Sequence, residues 1–220
     1  MHSGGDVTGT PRAAVSGARD ASIRAMSTEP ATAPAMASIH PAPLPYQDRL
    51  AGRAMEQIDL VVIHCTELPD LATAREYGER ILYPESGTGN SGHFYIDRDG
   101  AIHQYVTLDR IAHHVRGWNE RSIGIELVNT GRWPDWLDSR HQAMDETYPQ
   151  VQIDALVALL GGLMDALPSL RWMAGHEDLD TGRVAASDDA RVQVLRKRDP
   201  GPCFPWPDVL TAVPLERLER

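Results

Sequence analysis

Residues 58–65 read Ile-Asp-Leu-Val-Val-Ile-His-Cys, a nearly continuous apolar run rich in β-branched side chains. Such a run predicts a strand buried on both faces, with His64 close to its end. The apolar period then changes. Asp70 is positioned to cap a helix reaching about Leu82, because Leu71, Ala74, Tyr77, Ile81 and Leu82 fall near helical spacing. Pro84 and the cluster Ser86-Gly87-Thr88-Gly89-Asn90 mark a loop. Residues 92–97 and 101–106 flank Arg98-Asp99-Gly100 and predict a hairpin with an Asp-Gly turn. A further strand is expected over 122–129. Ile153, Leu156, Val157, Leu160, Leu163, Met164 and Leu167 recur at threes and fours, which predicts a helix over about 151–167 despite Gly161-Gly162. Residues 171–175 predict a last short strand running into His176. Strands and helices mixed without a regular βαβ rhythm, and without an internal repeat, predict an α/β fold with a central mixed β-sheet flanked by helices.

Composition sets the boundaries. Of the first 45 residues 29 are Ala, Pro, Ser, Gly or Thr, and every Trp, Tyr and Phe lies beyond them. That segment lacks the side chains of a core, so the reading is a tail over 1–45, one domain over 46–210 and a short C-terminal tail over 211–220. The 220 residues carry 21 Lys plus Arg against 31 Asp plus Glu, a net charge of −10. Negative charge disfavours nucleic acid and anionic membranes as partners. No run of about 18 apolar residues is present, and the first 45 residues lack the apolar core of a secretory signal. The expectation is therefore a cytoplasmic protein without membrane insertion, with the periplasm or cell envelope as the alternative. Cys65 and Cys203 are too few for a disulfide framework and are expected to be reduced thiols.

Four features could carry chemistry. His64 and His176 each sit at the end of an apolar strand, where a side chain leaves the core and can line a cleft, yet they are 112 positions apart and have no local zinc spacing. Asp199 lies in Arg198-Asp199-Pro200-Gly201-Pro202, a stiff loop that suits either a metal ligand or an Asx-type turn cap. Lys197 is the only lysine in the chain, beside 20 arginines. An ammonium can serve as a point donor where a guanidinium fork cannot. Glu126 interrupts the apolar strand Ile123-Gly124-Ile125-Glu126-Leu127-Val128, so it either meets solvent or faces a cleft as a general base.

In order along the chain, these pieces resemble the type 2 N-acetylmuramoyl-L-alanine amidases. These are AmpD-like zinc enzymes that also include phage amidase lysozymes and peptidoglycan recognition proteins. The resemblance is carried by Val61-Val62-Ile63-His64, Gly92-His93-Phe94-Tyr95-Ile96-Asp97-Arg98-Asp99-Gly100, Ala112-His113-His114, Asn119 with Ser122-Ile123-Gly124-Ile125-Glu126-Leu127, Ala174-Gly175-His176, and Lys197-Arg198-Asp199-Pro200-Gly201-Pro202. It implies the amidase fold and a Zn2+ site of His64, His176 and Asp199, a set that leaves a fourth position open as catalytic sites do. It implies Glu126 as the base that passes a proton to the leaving amine and Lys197 as the oxyanion's partner. His114 and Asn119 are implied as substrate contacts, and His93 as either a contact or a residue that shapes the site. The implied substrate is a muropeptide or peptidoglycan, cut between the lactyl group of N-acetylmuramic acid and L-alanine.

The chain departs from the family pattern in places. Cys203 stands four residues beyond the position where some members use a cysteine ligand. Gly92 occupies a position where some members carry tyrosine, which puts proton transfer on Glu126, and Cys65 follows His64 where asparagine is frequent. The 20 residues between His176 and Lys197 exceed the usual loop and are expected to reach over the cleft. Asn129-Thr130-Gly131-Arg132-Trp133 and Phe204-Pro205-Trp206 resemble the envelope branch, whereas the missing leader and the negative charge favour recycling of released wall fragments. Cleavage of polymeric wall is the alternative, and a binding protein without hydrolysis stands behind both.

Overall fold

Backbone and side chains of residues 38–219 are described by a computed structural model. Strand β2 (Leu60–Cys65) is buried at every position, as its uninterrupted apolar run requires. It pairs in parallel with β5 (Ser122–Leu127) on one side and β6 (Trp172–Gly175) on the other. Beyond β5 lies β3 (Phe94–Ile96), parallel to β5 and antiparallel to its hairpin partner β4 (Ile102–Gln104). The edges are β1 (Ile39–Pro41) against β4 and β9 (Glu216–Arg217) against β6. The resulting order β1-β4-β3-β5-β2-β6-β9 mixes parallel and antiparallel pairs, the α/β class expected from the sequence.

One face of the sheet is covered by helix α2 (Gln150–Ala166), which lies within a residue of its expected start and end. Its Ile153, Leu156, Leu160 and Leu163 pack on Val61, Ile63, Ile123 and Ile125. Each such side chain contributes about 1.5–3 kcal/mol on burial. Helix α4 (Trp206–Ala212), unforeseen in the sequence, closes the same layer with Val209. Across the sheet, Leu60, Val62 and Ala174 pack against Val115 and Leu179. Helix α1 (Leu71–Glu79) is capped by Asp70, whose side chain accepts from the Thr73 N–H at 2.7 Å. It stops short of Leu82 because the Leu82 N–H donates instead to the Thr88 carbonyl at 3.0 Å.

The boundaries differ from expectation at both ends. Residues 1–37 of the expected tail lie outside the described residues. From Ile39 onward, however, β1 pairs with β4 and Leu44 is buried, so 39–45 belong to the domain. All three residues of β1 are exposed. Backbone pairing and the contact of the His40 ring with that of His103, at 5.3 Å, order that strand, and no apolar signal marks it. Within 211–220, Val213 and Leu215 enter the main core and β9 pairs with β6, so this segment is no tail either. Among the described residues no helix is long and apolar enough to cross a membrane.

Candidate active site

Side-chain alternation on three parallel strands gathers the polar residues. In β2, Val61 and Ile63 face α2 while Leu60 and Val62 face the other layer. His64, two positions on from Val62, leaves the sheet on that other side. The same alternation in β5 turns Ile123, Ile125 and Leu127 toward α2 and Ser122, Gly124 and Glu126 away from it. Register pairs Leu60 with Ser122, Val62 with Gly124 and His64 with Glu126. In β6, Ala174 stands beside Val62, two residues before His176, which opens the short helix α3 (His176–Leu179). All three strands run the same way, so their functional side chains collect at the carboxyl end, where parallel sheets form their clefts.

Asp199 reaches this end from the loop after the hairpin of β7 (Arg183–Ala185) and β8 (Gln193–Leu195), with its carbonyl accepting from the Glu177 N–H at 3.0 Å. His64 Nδ1 lies 2.8 Å from Asp199 Oδ2, and His176 Nδ1 lies 3.1 Å from both of those atoms. Tetrahedral ligands with bonds of 2.0–2.1 Å stand about 3.3 Å apart, so the three donors are spaced much as ligands of one small cation. All three residues are buried, at 2–3% exposure, and Asp199 Oδ1 has no hydrogen-bond partner. A carboxylate so buried is costly without a positive partner. Burial lowers the His64 pKa to about 4 and keeps its imidazole in the neutral form that binds metals. Burial opposes ionisation of Asp199, but His176 beside it holds its carboxyl well below the usual range. The residues therefore fit a divalent cation.

A cavity of about 750 Å³ opens beside this group, and its wall includes Glu126, Lys197, His114 and Asn119. Burial and the charge of Asp199 push the Glu126 carboxyl well above its ordinary pKa. Gly92 makes room for it, since a Cβ there would come within 2.9 Å of Glu126 Cγ. The same Cβ would come within 3.1 Å of the Gly124 carbonyl oxygen, so the backbone as well as the glutamate crowds this position. Asn119 Oδ1 accepts from the backbone N–H groups of His114 and Val115, at 3.0 and 2.8 Å, and fixes the loop that carries His114. His93 is fully buried and does not line the cavity; its Nδ1 accepts from the Gly124 N–H at 3.1 Å. It packs behind the cavity wall, so of the two roles implied for it the substrate contact is not available. Cys65 and Cys203 are both free thiols.

The segment between His176 and Lys197 does not roof the cleft. Of residues 177–196 only Arg196 lines the cavity. The β7–β8 hairpin instead docks on the loop near residue 139, where the Ser187 N–H donates to the Leu137 carbonyl and the Asp188 carboxylate accepts from Ser139.

The sequence reading missed an ion pair. Arg132, 1% exposed, donates to both carboxylate oxygens of Glu67, at 2.6 and 3.0 Å, and to the carbonyls of Leu195 and Arg196, at 2.9 and 3.4 Å. It ties the loop after β2 to the residues just before Lys197. No local pattern links positions 67 and 132. Ser122 was also missed as a site residue, although the small or polar series Ser122, Gly124, Glu126 at alternate positions of an apolar strand was a usable signal.

Residues 54–202 match the family model described as N-acetylmuramoyl-L-alanine amidase. The chain is similar to the 1,6-anhydro-N-acetylmuramyl-L-alanine amidase AmpD of Escherichia coli (strain K12), at 35% identity over 125 residues, covering 53% of this chain and 54% of that protein. The chain thus spans about half the length of the curated relatives it matches. A crystal structure of a selenomethionine AmpD derivative superposes with a TM-score of 0.56 at 25% identity, covering 81% of this chain and 95% of that one. The endolysin LysCS from Clostridium intestinale URNW gives a TM-score of 0.57 at 19% identity over 83% and 99% of the two chains, a likeness of fold.

Proposed function

The chain belongs to the N-acetylmuramoyl-L-alanine amidase family, and from that premise we propose that it is a zinc-dependent hydrolase of the lactyl-L-alanine amide in muropeptides, acting on anhydro-muropeptide fragments released from the wall. The observation that carries this reading is the convergence of His64, His176 and Asp199 beside a cavity that Glu126 and Lys197 also line. The names of the curated relatives support the anhydro fragment as substrate. The motif around Arg132, which pointed toward the envelope branch, is accounted for by the Glu67 pair and by Asn129, whose Nδ2 donates to the Glu146 carbonyl at 3.1 Å.

His64, His176 and Asp199 would hold the ion. Zinc bound by two imidazoles and a carboxylate supplies Lewis acidity, lowering the pKa of water and polarising a carbonyl. Glu126 accepts a proton from the attacking water as the water oxygen bonds to the amide carbon; its raised pKa lets it keep that proton. The Lys197 ammonium meets the negative charge that develops on the carbonyl oxygen. As the C–N bond breaks, the Glu126 carboxyl gives the proton to the nitrogen, and acid and amine leave.

The test is elemental analysis of the purified protein together with incubation on anhydro-muramyl tripeptide and on intact peptidoglycan. About one zinc per chain and cleavage of the tripeptide alone is the expected result. Cleavage of both would replace the fragment enzyme by a broad wall amidase. A zinc-free protein that cuts neither would overturn the reading.

A further inference from the structure

Behind His64 runs a file of hydrogen bonds that the reaction above does not use. His64 Nε2 lies 3.0 Å from His114 Nδ1, His114 Nε2 lies 3.2 Å from Ser122 Oγ, and Ser122 Oγ donates to the Trp118 carbonyl at 2.8 Å. A carbonyl oxygen only accepts, so the single hydroxyl hydrogen of Ser122 points to Trp118. Ser122 Oγ must then accept from His114, which puts the His114 hydrogen on Nε2 and makes its Nδ1 an acceptor. A neutral imidazole has one donor and one acceptor. His64 therefore carries its hydrogen on Nε2, and its Nδ1 presents a bare lone pair toward Asp199 and His176.

The surroundings hold this file in place. The His114 ring lies against Gly124, where a Cβ would come within 2.6 Å of its Cγ. The His93 ring meets it edge-on at 5.7 Å, and Asn119 fixes its backbone. Both ring nitrogens of His114 are engaged within the protein, so neither remains for substrate, although the ring borders the cavity. By contrast, His176 Nε2 is buried without a hydrogen-bond partner. The tautomer is enforced on one of the two imidazoles only.

We infer that His114 and Ser122 are positioning residues which lock His64 in the tautomer whose Nδ1 can ligate, and that this role of His114 replaces the substrate contact implied by the family resemblance. The inference rests on the reading that His64, His176 and Asp199 bind zinc. A metal-ligating histidine normally donates its other N–H to an oxygen acceptor, and loss of that partner lowers metal affinity 10–100-fold. Here the acceptor is a second imidazole, itself aligned by a serine and a backbone carbonyl.

The experiment is zinc affinity by competition with a chromogenic chelator, on the full chain and its variants, with folding checked by thermal melting of the metal-free proteins. His114→Leu fills the space without an acceptor and is expected to bind zinc about 10–100-fold more weakly. His114→Asn offers a carboxamide oxygen near the position of Nδ1 and is expected to recover most of that loss, which a purely packing role would not produce. Ser122→Ala, a smaller change, covers the case in which the His114 variants do not fold, and is expected to weaken zinc by less than His114→Leu does. Histidine 15N spectra of the zinc-loaded wild type are expected to place hydrogens on Nε2 of both His64 and His114. Zinc affinity of His114→Leu within twofold of the wild type, or a hydrogen on His114 Nδ1 in the loaded protein, would overturn the inference and leave the zinc reading standing. A wild-type chain that takes up no zinc would overturn both.

Discussion

Replacing Glu67 by Met is expected to be among the most damaging single changes outside the proposed catalytic group. It keeps a side chain of similar length and leaves the backbone at Glu67, φ +50°, with the same demand on a non-glycine residue. It strips the counter-ion from a guanidinium whose side chain is 1% exposed, against 10% for that of Glu67. Breaking a buried pair from one side typically costs 3–5 kcal/mol, and the burial of Arg132 puts the cost of Glu67→Met at about 4 kcal/mol. Arg132→Met leaves the Glu67 carboxylate without its counter-ion on the cavity wall, where water can reach it, and unties the carbonyls of Leu195 and Arg196. About 2 kcal/mol is expected for that change. The double variant leaves no stranded charge and should cost at least about 2 kcal/mol less than the sum of the two. Urea unfolding of the four proteins at one fixed zinc concentration measures all three quantities. A cost below about 1 kcal/mol for Glu67→Met, or additivity of the single changes, would refute the claim that this pair is a desolvated unit.

Other outcomes follow from the same geometry. Glu126→Gln should retain zinc and lower turnover by about 10²–10⁴-fold, read from metal analysis and kcat together; wild-type turnover would remove Glu126 as the base. Asp199→Ala should lose zinc itself, and chelation of the wild type should lower its melting temperature until zinc is restored; metal content and calorimetry decide. Gly124→Ala drives a methyl group into the His114 ring and should cost about 1–3 kcal/mol of stability; an unchanged urea midpoint would show that the ring yields freely. Burial raises the pKa of Glu146, yet hydrogen bonds from Arg98 and Thr130 together bring it below its ordinary value. Its folded pKa is thus depressed, so its stabilisation is present above the unfolded carboxylate pKa and fades as pH falls through the folded one. Glu146→Gln should accordingly be less stable than wild type at pH 7 and converge with it in acid.

What the sequence disclosed about this site, and what it withheld, follows from the range of each interaction. His64 and His176 were legible as candidates because the end of an apolar run is a local pattern, and parallel strands bring such ends to one edge of the sheet. Glu126 was legible only as meeting solvent or facing a cleft, and Asp199 only as a turn cap or a ligand, since its proximity to His64 spans 135 positions and a stiff loop does not reveal where it points. The edge strands β1 and β9 escaped notice because backbone pairing orders them and their side chains carry almost no apolar signal. Arg132 and Glu67 have no local mark, being 65 positions apart. His114 is the instructive case. Its presence in a motif suggested chemistry toward the substrate, because a motif records that a residue matters and not the direction its nitrogens face. Only the positions of Ser122 and Gly124, one anchoring the ring and the other leaving space for it, direct its nitrogens to Ser122 and the back of His64 while the ring still borders the cavity.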